Sequence, residues 1–339
     1  MALPGSHGHT IGQWPVIAAL VGNSIVAVMK LVVAIFSGSS AMFSEAIHSF
    51  ADTSNQALLL VGLRRSRKKA DNDYGYGYGR ERFFWAILSA CGIFFVGAGV
   101  TIFHGISSLI EPEHVDINAT VFIVLALAFC IELWTLYVAV RSIQRMHPDD
   151  SWRERLSIAD PTTLAVLFED TVAVIGVGVA ALAIALSYYT GNTVWDAVGS
   201  LIIGLMLGMV AITLIIKNKS YLIGRAIPEE MKEDIIEFLE ADPLIEKVLD
   251  FKSAVLDIGV YRIKCEVEIT GSALLKEAYR RTKLLHEFEE VKNDFEEFKR
   301  FCVDYANRIP RLIGKHIDVI EAKLIKRFPA VRHIDIEIN

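Results

Sequence analysis

The run Ala41-Met-Phe-Ser-Glu45-Ala-Ile-His48-Ser49-Phe-Ala-Asp52-Thr-Ser-Asn55-Gln-Ala-Leu-Leu-Leu-Val-Gly-Leu63 reads as a membrane span that carries ionisable groups along its middle. On a helix, positions i and i+4 share a face, so the His48 imidazole and the Asp52 carboxylate project side by side. Glu45 and Ser49 extend the same polar stripe. Charged groups at bilayer depth are costly unless they face a cavity or a partner, which makes them candidates for an ion or proton path. Neutral imidazole with carboxylate is a ligand mix that zinc and its neighbours accept.

Outward from that run, the composition supports a membrane protein. The chain has 339 residues, of which 53% are hydrophobic, with a formal net charge of -6 and a mean hydropathy of +0.40. A span needs about 20 mostly apolar residues, and six stretches qualify: 15–36, 40–63, 83–110, 119–143, 162–189 and 193–216. Basic residues cluster at Arg64–Lys69, Arg80 and Arg82, at Arg145, Arg153 and Arg155, and at Lys217 and Lys219. The alternate loops, 37–39, 111–118 and 190–192, hold no Lys or Arg. The positive-inside rule then puts both termini in the cytoplasm. The N-terminal residues lack a basic signal-peptide region and an Arg-rich transit pattern. Insertion is therefore expected to rely on the first span, and a bacterial plasma membrane is expected rather than a mitochondrial one.

Three regions are expected: a short cytoplasmic N-terminus at 1–14, a six-span domain at 15–217, and a cytoplasmic domain at 218–339. In the last, a helix over 228–240 precedes strands at 248–256 and 261–269, a charged helical region over 273–327 interrupted near Pro310, and a strand at 331–338. The alternation of Tyr261, Ile263, Cys265, Val267 and Ile269 marks a half-buried strand. This α-β-β-α-β order predicts a small α+β sandwich. The fold class is thus an α-helical membrane protein with six transmembrane helices and a small α+β cytoplasmic domain.

Other classes find little footing. The four cysteines have no CxxC spacing, which argues against a disulfide scaffold or thiolate zinc knuckle. The glycine-rich stretch Tyr74–Arg80 lacks the following Lys-Ser/Thr of a phosphate loop and reads as a turn. Nucleic acid is not expected as a partner. The fifth span carries Glu169 and Asp170 among apolar residues; adjacent helical positions point about 100° apart, so at least one is expected on the cation path. Lys30 is read as snorkelling or pairing with an acid, Asp196 as capping its own helix, and His104 and Glu132 as single polar residues with a lesser claim on proton movement.

These residues resemble the cation diffusion facilitator family of proton-coupled divalent-metal exporters. The likeness is carried by Ser44-Glu-Ala-Ile-His48-Ser-Phe-Ala-Asp52-Thr-Ser-Asn55-Gln, Tyr78-Gly-Arg-Glu-Arg82 and His104-Gly. Asp160-Pro-Thr, Leu167-Phe-Glu169-Asp170-Thr, Thr190-Gly-Asn, Asp196–Ser200 and Val331–Ile338 look closest to the branch of zinc transporter nine. The resemblance implies a tetrahedral transport site shared by the second and fifth spans, with His48, Asp52 and Asp170 as metal ligands. Val166 stands where the family has His or Asp, so the fourth ligand is left to Glu169, Glu45 or a water. It also implies a homodimer that exports zinc, or a related divalent cation, in exchange for protons by alternating access, without a resident cofactor and without enzymatic chemistry. A cytoplasmic metal site is suggested by His333-Ile-Asp335, but this falls three residues early, where Ile336 and Ile338 stand in the family's positions. Dimerisation is the domain's expected role. His48 favours zinc over manganese, while iron, cobalt and cadmium stay open. Two rival readings are a metal sensor or scaffold, which Val166 makes conceivable, and a membrane-embedded metal hydrolase, for which a second motif such as HExxH is missing.

Overall fold

A computed structural model of the protein describes residues 13–111, 119–146, 151–152, 156, 161–273 and 281–339. The chain divides into two compact units, Met1–Leu222 and Ile223–Asn339.

The first unit is helical: α1 (Gln13–Ser37), α2 (Ser40–Ser66), α3 (Glu81–Ile110), α4 (Ala119–Met146), α5 (Pro161–Thr190) and α6 (Val194–Ile223). Among the described residues, four helices are long and apolar enough to cross a membrane: Glu81–Ile110, Ala119–Arg141, Leu167–Thr190 and Val194–Ile223. The expected count of six is therefore met only in part by length and composition. The described apolar stretch of α1, Asn23–Ser37, is shorter, and α2 spans 27 residues but carries the polar stripe.

Tight turns join neighbouring helices. Gly38, at φ 65°, lets the chain reverse between α1 and α2. The Ser39 hydroxyl then accepts from the Met42 amide at 3.0 Å, capping α2. Gly191, also at φ 65°, and the Asn192 side chain, which accepts from the Val194 amide at 3.0 Å, do the same between α5 and α6. Thr190-Gly-Asn is thus a turn signature. Small residues draw the helices together: a Cβ on Gly199 of α6 would lie 2.4 Å from the Ala183 Cβ of α5, and one on Gly204 only 2.7 Å from Ile102 of α3. A π-helical segment, Ile93–Ala98, interrupts α3 beside this packing. Nothing in the hydropathy pattern marks it.

The second unit holds α7 (Glu229–Glu240), β1 (Ile245–Asp257), β2 (Val260–Ile269), α8 (Arg281–Val291), α9 (Phe295–Arg327) and β3 (Val331–Ile338). β2 is central, antiparallel to β1 and parallel to β3. Ile235 and Leu239 of α7 and Ile320 and Leu324 of α9 bury against Ile263 and Val267 of β2. The charged region breaks before Asp294, not at Pro310, which lies inside α9. Asp294 takes an extended backbone and accepts from the Glu296 amide at 2.8 Å, a ready N-cap. Pro310 removes one backbone donor but is accommodated within the long helix.

Candidate ion site

The polar stripe of α2 supplies the centre. His48 and Glu45 are buried, and Asp52 is half-buried. His48 Nε2 lies 3.0 Å from Asp52 Oδ2, yet neither ring nitrogen makes an aligned hydrogen bond. The pair is thus in contact at hydrogen-bonding distance, with an alignment short of a good hydrogen bond.

Helix α5 brings the second acidic group alongside. Asp170 is half-buried and lies in the electrostatic field of Glu132 of α4 and Asp52. Glu169 feels Asp52, Asp170 and His48. Its carboxylate is held by α2: the Asn55 amide donates to both oxygens at 2.7 Å, and Asn55 Oδ1 accepts from Ser89 Oγ of α3 at 2.6 Å. Asn55 and Ser89 thus support the site from two helices. Their signal in the sequence was weak, since Asn55 lies only one turn beyond Asp52 on the same face.

Glu45, considered above as a fourth ligand, points elsewhere. The Lys30 ammonium is fully buried on α1 and donates to Glu45 Oε2 at 3.1 Å and to Ser49 Oγ at 2.7 Å. Glu132 Oε1 is 3.8 Å away. Lys30 therefore pairs with acids and does not snorkel. Val166 lies on α5, but its side chain is outside the described residues. Among the described residues, no group of three or more His, Cys, Asp or Glu is drawn together tightly enough to hold a metal ion. His48 and Asp52 touch, while Asp170 is a neighbour in charge rather than in contact.

One other expectation needs correction. Asp196 does not cap α6. It accepts from Ser39 Oγ at 2.7 Å and from the Ser40 amide, and so satisfies the start of α2. Its position in the first turn of α6 aims the carboxylate across the helix interface at those donors. His104 packs edge-on against Phe43, with Nδ1 3.4 Å from Ser108 Oγ, and lies in the field of Asp196.

In the second unit, Cys265 registers with Ile336, whereas His333 and Asp335 register with Arg262 and Lys264. Alternation along the strands places Cys265 on the core face and the other two on the opposite face. His333 and Asp335 thus lie on one face of the sheet and Cys265 on the other.

Residues 16–223 match the cation efflux transmembrane domain. Across 329 residues the chain is 36% identical to the human "Proton-coupled zinc antiporter SLC30A9, mitochondrial", covering 95% of this chain and 58% of that protein. Metal tolerance protein C4 of Arabidopsis thaliana is 34% identical over 340 residues, with 96% and 73% covered. The cation-efflux pump FieF of Shewanella oneidensis is 25% identical over 258 residues, with 75% and 81% covered. The chain thus spans a little over half the length of its human relative. The apolar helices and the ionisable stripe of α2 both fall within the residues that match the cation efflux transmembrane domain. The chain belongs to the cation efflux, or cation diffusion facilitator, family.

Proposed function

We propose that the protein is a six-span, homodimeric secondary transporter that carries zinc out of the compartment holding its termini in exchange for protons. The observation that carries this reading is the buried His48–Asp52 pair, whose ring nitrogens have no aligned partner, set against Asp170 on the facing helix. His48, Asp52 and Asp170 are the proposed ligands, and a water or substrate position completes a zinc shell. Glu169 and Glu45, engaged with Asn55 and Lys30, then support the site rather than bind the ion.

Charge balance supports the exchange. Glu45, Asp52, Glu132, Glu169 and Asp170 lie in overlapping electrostatic fields, with Lys30 between Glu45 and Glu132. Such an excess of carboxylate at bilayer depth calls for protons when no metal is present. Metal needs the neutral imidazole and ionised acids, so zinc and protons compete for the same groups. Alternating access around a fixed site then couples their movements.

The six spans rest on the lengths of α1 to α6, and the orientation rests on the basic residues that follow α2 and end α6. Exposed Phe288, Phe295 and Phe298 on α8 and α9 are a natural contact for a second copy. The human and mouse relatives carry "mitochondrial" in their names and lend no support to a bacterial plasma membrane.

The test is zinc flux into proteoliposomes under an imposed pH gradient. Asp52→Ala and Asp170→Ala are each expected to lower flux at least about a hundredfold while the protein stays monodisperse, because each removes a charged ligand from a set of three. Wild-type flux in Asp170→Ala refutes the shared site. Zinc binding without flux in the unaltered protein favours the sensor reading instead.

A further inference from the structure

Lys30 is ringed by oxygen from two other helices: Ser49 Oγ at 2.7 Å and Glu45 Oε2 at 3.1 Å from α2, and Glu132 Oε1 at 3.8 Å from α4. An inter-helix ion pair accounts for the ammonium but leaves two features over. Two carboxylates surround one positive charge, where a packing pair needs one. In addition, Glu45 Oε1 is buried with no hydrogen-bond partner. It faces the backbone of α5, where a Cβ on Gly176 would come within 2.7 Å of it. Removal of an oxygen from water without a partner is costly, and glycine at 176 is what allows this unpartnered oxygen to approach the α5 backbone so closely.

An all-oxygen donor set with surplus negative charge suits a hard divalent ion such as manganese or magnesium more than zinc. We propose that Glu45, Ser49 and Glu132 form a second cation pocket, one helical turn from His48, which the chain's own Lys30 ammonium fills. Lys30 is then a selectivity residue. By occupying the oxygen-rich pocket it denies hard ions a foothold beside the imidazole-bearing site. The pocket stands on its own atoms and does not depend on the ligand set proposed for zinc.

Manganese binding tests this, read as loss of the free-ion electron paramagnetic resonance signal on purified full-length protein. Lys30→Met is expected to bind one more manganese ion per chain than wild type. Lys30→Met with Glu45→Gln is expected to lose that gain, and Lys30→Arg to keep the wild-type value. If Lys30→Met does not give monodisperse protein, Lys30→Ala carries the same measurement, since it too removes the ammonium and leaves the oxygens of Glu45, Ser49 and Glu132 in place. Equal manganese stoichiometry in wild type and in the folded variant without the ammonium overturns the pocket. So does a gain that survives Glu45→Gln. Zinc titration of His48→Ala in a parallel experiment judges the transport site separately.

Discussion

Asn55 ties α2 to α5 by hydrogen bonds. Its amide satisfies both oxygens of Glu169, and its carbonyl takes the Ser89 hydroxyl, so three helices meet at one side chain. Truncation to Ala strands a buried carboxylate, at a cost of about 1–3 kcal/mol. Asn55→Ala is therefore expected to lower the melting temperature in detergent. Combining it with Glu169→Gln should cost less than the sum of the two single changes, since both remove one interaction. Strict additivity would show that the contact carries no coupling. The His48–Asp52 pair was legible in the sequence because both members lie one turn apart on one helix. The Asn55–Glu169 pair was not, because its members are 114 positions apart and no local period links them. Lys30 shows the same limit: a buried lysine announces that it needs acids, but not which ones.

Strands and helices of the second unit obey their local rules closely enough to support two predictions. β2 alternates as expected and turns Cys265 into the core. Burial, with Asp335 and Glu321 nearby, pushes its thiol up to about 12. Maleimide at neutral pH is expected to modify exposed Cys302 in the folded protein and to reach Cys265 only after denaturation, as mass spectrometry of the labelled peptides would reveal. At the end of α7, Asp242 accepts from the Leu244 amide and lies 3.0 Å from His316 Nε2 of α9. Burial acts to raise its carboxyl, but these partners outweigh it and hold the group below the ordinary 3.8. That contribution to stability is complete above 3.8 and fades as pH falls through the lower folded value. Asp242→Asn should thus lower stability near neutrality and flatten the acid limb of a melting-temperature profile. An unchanged acid limb would remove Asp242 from the account. The break before Asp294 was harder to foresee than the strands, since Pro310 is a louder signal than a single capping aspartate. The π-helical segment of α3 had no signal, because it answers to packing against neighbouring helices rather than to its own composition.

For the whole molecule, hydropathy separates the apolar helices from the charged C-terminal region, and that much is readable from composition alone. Which acids share a field is a property of the assembled bundle. It leads to a prediction on coupling: zinc entry into proteoliposomes should be accompanied by proton exit, detected by an internal pH dye, and collapsing the pH gradient should slow zinc uptake. Zinc movement without any proton signal would break the link between charge balance and exchange. The anchoring of α2 by Asp196 adds a mechanical consequence. The helix is fastened to α6 at its Ser39–Ser40 end, and at 1.5 Å per residue His48 lies about 12 Å from that point and Arg65 about 38 Å. A tilt of about 10° about this fulcrum displaces His48 by roughly 2 Å and Arg65 by more than three times as much. Metal coordination tolerates only about 0.2 Å, so a small swing at the short arm is enough to open the grip on an ion. The basic end of α2 is the long handle, and a modest force applied there is multiplied where the ion is held.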